Sequence, residues 1–382
     1  MVHLLLAVIY LAFISLGLPD SLLGAAWPSM CLEFSVPVSW AGAVSFLIAA
    51  GTIISSLVSD RLTYALGAAK VTAISVAVSA VSLLGFSVSS AYWMLLVWAL
   101  PFGLAAGSVD AALNNYVALH YSSRHMSWLH CMWGVGASVG PSIMGHALTG
   151  GQGWNMGYRY IALIQITLTA VLLLSLPLWK RTEQKTAGED HHILSLGEIL
   201  AIPGAREAMV AMFCYCALEQ TTGLWAATYL VRRMGLGEEQ AAGLACLFFA
   251  GITVGRALSG FVPAKMDDTR MIRLGQGIVV LGIAVMVLHL GLGGVMTGLI
   301  LIGVGCAPIF PCIIHSTPDH FGEDRSQALI GVQMASAYSG VLAMPPLFGI
   351  IANHLTIGLM PLYLAVLTGV MIFMCERLNR KQ

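Results

Sequence analysis

The chain has 382 residues, 58% of them hydrophobic and only 9% charged, with 18 basic and 18 acidic side chains in balance. A water-soluble domain carries about 25% charged residues, so a soluble enzyme, a nucleic-acid binder and a disordered regulator are excluded, and the mean hydropathy of +0.84 agrees. Zero net charge implies no polyanionic partner, and the solvent of most of this surface is lipid.

A helix crossing a bilayer needs about 20 mainly apolar residues. Twelve such stretches are predicted: 4–30, 39–60, 66–88, 92–118, 126–149 and 158–179, then 206–231, 239–263, 271–291, 293–315, 326–351 and 355–375. Their length, with no period-two alternation, predicts helices rather than strands. The first starts at Leu4 without a basic segment before it, so it reads as a retained span and not a signal peptide. The polar run from Lys180 to Gly204 predicts a cytoplasmic linker. It gives a six-helix bundle over 1–182, a linker over 183–204 and a second bundle over 205–382. Ile193–Leu200 within it suits a short helix on the inner membrane face, and His191-His192 suits a solvated loop better than a metal site. With twelve spans both termini share a side, and 14 of the 18 Lys and Arg fall there, which places both termini in the cytoplasm. The eight cysteines lie mostly in apolar stretches and read as small buried hydrophobes. No metal or cofactor is expected.

The halves echo each other at an offset of 200. Ala50-Gly51 answers Ala250-Gly251, Ser59 answers Ser259, and Gly103, His120 and Gly140 answer Gly303, His320 and Gly340. Two such parallel repeats resemble the architecture of the major facilitator transporters, in which the site lies between the halves near mid-membrane.

Charges inside spans mark function by default, because each costs at least about 2.5 kcal/mol at mid-membrane. Asp20 in the first span, Asp110 in the fourth and Glu219 in the seventh are the candidate proton-coupling carboxylates. Bracing a neighbouring helix is the structural alternative for each. Arg256 is an intramembrane cation that either snorkels or pairs with a carboxylate. Asn114 shares a face with Asp110 at i, i+4. With Asn115, His130, Gln165 and Gln220 it offers the donors and acceptors that a polyol requires. Trp27, Trp133 and Trp225 are candidates to stack on a sugar ring, with packing as the alternative. The runs G-V-G-A-S-V-G-P (Gly134 to Pro141) and G-V-G-C-A-P-I-F-P (Gly303 to Pro311), and the segment around Pro345-Pro346, suit either hinges or close helix packing.

The loop S-D-R-L-T-Y-A-L-G-A-A-K resembles a stretched form of the major facilitator signature G-x-x-x-D-R-x-G-R-K. The resemblance makes Asp60 a latch of the inner gate; Arg61 beside it, and the intramembrane Arg256, are further gating candidates. Within that superfamily the chain resembles the fucose–proton symporter group over nearly its whole length. The most specific matches are Asp20, the pair Asp110 and Asn114, the run E-x-x-x-G-x-W-x-x-x-Y from Glu219 to Tyr229, and the proline run of span ten. In that group an Asp of the first helix and a Glu of the fourth carry proton coupling and sugar binding, so the resemblance implies these roles for Asp20 and Asp110. Gly17 stands where the symporter has a sugar-binding Asn, and His130 where it has a polar amide.

The expectation is an all-α, twelve-helix membrane protein of the bacterial inner membrane, acting as a monomer. It is not an enzyme, binds no nucleic acid, and moves a small polar solute, a sugar above all, by proton symport with alternating access. Proton-coupled export of drugs or metabolites is the main rival, since G-A-S-V-G-P matches an antiporter motif. Sodium is the alternative coupling ion, and a non-transporting sensor is a more distant reading.

Overall fold

A computed structural model describes residues 2–20, 22–37, 40–183, 194–261, 266–288 and 290–381. These residues form helices and no strand. The order is α1 (Val2–Gly17), α2 (Leu22–Glu33), α3 (Ala41–Leu57), α4 (Ser59–Leu66), α5 (Ala68–Ser87), α6 (Tyr92–His120), α7 (Ser123–Thr149) and α8 (Trp154–Glu183). The chain continues through α9 (Leu196–Ala201), α10 (Ala205–Met234), α11 (Glu238–Ser259), α12 (Asp268–Val287), α13 (Gly291–His315), α14 (Thr317–Phe321), α15 (Glu323–His354) and α16 (Met360–Asn379).

Each predicted span coincides with a helix or a broken pair of helices. Eight stretches are long and apolar enough to cross a membrane, nine with the α3–α4 pair. The other three, α7, α10 and α11, are not among them: α7 and α10 carry polar residues such as Arg124, His130, Glu207 and Glu219, and α11 is apolar over the shorter stretch Leu244–Ser259. Two spans are not the single rods expected. The first breaks between α1 and α2 at Leu18–Asp20, where Pro19 removes a helical donor. The second bends by 58° between α3 and α4. The predicted linker helix is present as α9, closed by a capping box between Ser195 and Glu198. Residues 184–193 of the linker, with His191-His192, lie outside the described residues.

The chain forms two compact units. One is Met1–Tyr116 with Leu129–Ile193, and the other is Val117–Trp128 with Leu194–Gln382. The turn joining α6 to α7 therefore packs with the second unit. The first unit's core gathers Leu22, Trp27, Met30, Leu83, Phe86, Phe102 and Tyr158 from α2, α5, α6 and α8. Within it Phe86 stacks on Tyr158 at 5.3 Å.

The internal repeat has a packing cause. A Cβ on Gly51 would lie 2.8 Å from the carbonyl oxygen of Leu100, and one on Gly251 would lie 2.7 Å from that of Ile300. A Cβ on Gly103 would lie 2.1 Å from the Ile48 oxygen, and one on Gly303 would lie 2.2 Å from that of Phe248. All four contacts repeat at the offset of 200, and only glycine permits them. The serines repeat as well. Ser59 Oγ donates to the Ser56 carbonyl at 2.7 Å, and Ser259 Oγ donates to the Arg256 carbonyl at 3.0 Å.

Candidate functional site

In the first unit two carboxylates are held by neutral donors. Asp20 sits in the α1–α2 break with its side chain exposed. Its Oδ2 accepts the indole N–H of Trp133 at 2.8 Å. Gly17 makes this approach possible, because a Cβ there would lie 2.1 Å from the Trp133 carbonyl oxygen. Asp110 is buried in α6, and one turn on Asn114 Nδ2 donates to its Oδ1 at 2.8 Å. Asn114 Oδ1 in turn lies 3.0 Å from His130 Nε2 on α7. An amide oxygen only accepts, so the imidazole N–H is the donor. Phe13 holds the imidazole edge-on at 5.4 Å. The result is a directed row, His130 to Asn114 to Asp110. It holds the carboxylate in place through a neutral amide.

In the second unit Glu219 of α10 is paired differently. Tyr215, one turn earlier, donates its hydroxyl to Glu219 Oε2, and Arg256 Nη2 of α11 lies 3.5 Å from the same oxygen. Arg256 thus pairs with a carboxylate rather than snorkelling. Tyr215 is fully buried and was absent from the sequence-derived candidates. Its i, i+4 spacing to Glu219 is the signal by which the sequence could have shown it.

Other candidates fall elsewhere. Trp27 is buried in the apolar core, edge-on to Tyr92, where it packs rather than faces a solute. Gln165 is buried and uses its amide to donate to the Ser15 carbonyl at 2.6 Å. A cavity of about 10 Å³ borders Gln165, Ser15, Ser75 and Ser79. Asn115 is buried beside Asn114, and Gln220 is exposed beside Glu219. Trp225 donates to the Pro345 carbonyl at 3.0 Å and meets Phe348 edge-on. Asp60 is buried in the first turn of α4, just past the bend, and Arg61 is exposed. The small residues of α7 serve packing. A Cβ on Gly136 or Gly140 would lie 2.0 Å from the carbonyl oxygens of Ile14 or Leu18, whereas Gly134 meets nothing within 4 Å.

One cluster had no sequence signal. His315 Nε2 donates to the Tyr121 carbonyl at 2.9 Å while Nδ1 lies 2.5 Å from Asp268 Oδ2. Beside it Ser123 Oγ lies 3.6 Å from Cys312 Sγ. Together they fasten the α6–α7 turn to α12 and α13. Among the described residues no group of His, Cys, Asp and Glu has the arrangement of a metal site.

Apolar helices with paired internal repeats and carboxylates within the spans, Asp110 among them buried, point to a polytopic membrane transporter. The family model of the Major Facilitator Superfamily matches residues 9–343, and the chain belongs to that superfamily. It is an integral membrane protein of a transporter family, not an enzyme family. It is 26% identical over 357 residues to the uncharacterized transporter y4wD of Sinorhizobium fredii, which covers 90% of this chain and 92% of that one. Its fold is similar to that of FucP, a transporter crystallised in the outward conformation, with a TM-score of 0.77, 15% identity and coverage of 97% and 98%. A variant of the same protein is described as the fucose:proton symporter of E. coli. The human organic anion transporter MFSD10 is similar at a TM-score of 0.74, 14% identity and 98% coverage of both chains. Such identities establish the fold alone.

Proposed function

We propose that this protein moves a small polar solute, most simply a sugar, by proton symport through alternating access. In this reading it works as a monomer in the bacterial inner membrane with both termini cytoplasmic. The observation that carries the reading is the pair of intramembrane carboxylates, Asp20 and Asp110, each held by a neutral donor, Trp133 or Asn114. A carboxyl held this way can gain and lose a proton while keeping its position. Protonation would neutralise the surroundings of the solute, and Asn114, Asn115 and His130 would supply hydrogen bonds to hydroxyls. Glu219 has a cation beside it in Arg256, so the reading gives proton exchange to Asp20 and Asp110, and gives Glu219, Tyr215 and Gln220 a part in binding. The likeness to a fucose:proton symporter supports this choice of cargo.

The test is uptake into proteoliposomes from a panel of labelled sugars, with and without an inward proton gradient, for the native chain and Asp110→Asn. Gradient-driven accumulation that the variant loses is the expected result. Absence of sugar uptake under proton and sodium gradients alike would overturn it in favour of export, the direction suggested by the antiporter-like run of α7. Accumulation driven by sodium alone would keep the sugar and replace the ion.

A further inference from the structure

The break that presents Asp20 has an external support. Pro19 has no N–H, so it cannot close the helical bond to the carbonyl four residues back, that of Ser15. A buried carbonyl must find a donor elsewhere. Here the donor is the Nε2–H of Gln165, reaching across from α8 at 2.6 Å. A carbonyl only accepts, so the amide must turn its nitrogen toward it. That orientation leaves Gln165 Oε1 buried with no hydrogen-bond partner. A glutamine that merely filled space would not hold one orphaned oxygen in a site where it is 1% exposed. The next N–H, that of Asp20, bonds to Gly17 at 3.2 Å instead of continuing the helix, and α2 starts at Leu22. Asp20 is therefore fixed on one side through Ser15 and Pro19, and on the other by Trp133.

We propose that Gln165 is a positioning residue: it supplies the donor that Pro19 lacks and so holds the α1–α2 break in the form that sets Asp20 against Trp133. It acts through the Ser15 carbonyl and not by touching solute. Its importance for transport rests on the reading of Asp20 as a proton-coupling group.

The full-length protein in lipid is titrated by infrared spectroscopy, with the Asp20 carboxyl band identified by subtraction of Asp20→Asn. The variants are Gln165→Leu, Pro19→Ala and the two combined. Trp133, which donates to Asp20, and Asp110, the other carboxylate of the first unit's site, are kept in every variant. Gln165→Leu is expected to move the Asp20 titration midpoint by about one pH unit, a tenfold change in proton affinity. Adding Pro19→Ala is expected to restore it, because the alanine N–H reaches the Ser15 carbonyl while the close contacts of Gly17, Gly136 and Gly140 still hold the break against α7. If Gln165→Leu does not fold, the double variant still should, and rescued folding supports the same assignment. An unmoved midpoint in Gln165→Leu, or a double variant that stays displaced or unfolded, overturns the proposal. The readout needs no substrate. A rescued midpoint in a protein that takes up no sugar would defeat the symport reading and leave the role of Gln165 standing.

Discussion

Arg256 and Glu219 show what one residue's partner decides. A guanidinium in a span is expensive alone, and so is a carboxylate. Together, with Tyr215 donating to the carboxylate, they offset each other's cost. Removing one partner should cost far more than removing both. Arg256→Met is expected to destabilise the protein by about 3 kcal/mol, whereas Arg256→Met with Glu219→Leu recovers most of that loss. Thermal unfolding of the purified variants reads the difference. Equal losses in the single and double variants would mean that the 3.5 Å contact contributes nothing. The Asp110 cluster follows another logic. Asn114, its donor at 2.8 Å, is a neutral amide, where Glu219 has a guanidinium beside it.

At the scale of elements, glycine sets which helices touch. Gly136 and Gly140 bring α7 against the end of α1, and Gly17 brings α1 against the backbone at Trp133. These three contacts fix the break that carries Asp20. Gly136→Val would put a Cβ 2.0 Å from the Ile14 carbonyl oxygen, and backbone cannot yield as a side chain can. Overpacking of this kind costs about 1–3 kcal/mol. The expected outcome is a lowered unfolding temperature and lost uptake. Gly134→Ala, which meets nothing within 4 Å, should be neutral or slightly stabilising, since alanine favours helix by about 1 kcal/mol. If both variants behave alike, the run is a flexible hinge rather than a packing surface. The gapless echo at 200 residues was legible in the sequence because these contacts admit no other side chain. Its reason was not legible, because Gly51 and Gly103 are matched to the carbonyls of Leu100 and Ile48 only once the helices are packed.

For the whole molecule, the segment Val117–Trp128, the end of α6 and the start of α7 with the turn between them, groups with the second unit although α6 and α7 otherwise belong to the first. His315 fastens it by bonding the Tyr121 carbonyl, with Asp268 orienting the ring. Cys312 is a natural reporter of this fastening, being fully buried beside Ser123. A hydrogen bond to a charged group is worth about 1.5–3 kcal/mol. His315→Gln should therefore raise the labelling rate of Cys312 by a small aqueous thiol reagent about tenfold or more, read by mass spectrometry of the Cys312 peptide. An unchanged rate would show that other contacts hold the turn.

Membrane residence, helical class and the repeated halves were all determined by the sequence alone, because they rest on composition, on stretch length and on close contacts that only glycine allows. The carboxylates stood out for the same reason, since a charge in an apolar run is conspicuous without knowledge of its neighbours. Partners were decided only by tertiary structure. Asp20 meets Trp133 across 113 residues of chain, and Gln165 meets Ser15 across 150. The same packing turned Trp27 inward to the core and gave the amide of Gln165 to a carbonyl that Pro19 leaves open. A hydrogen bond depends on where two distant groups come to lie within about 3 Å, and local sequence carries no record of that distance.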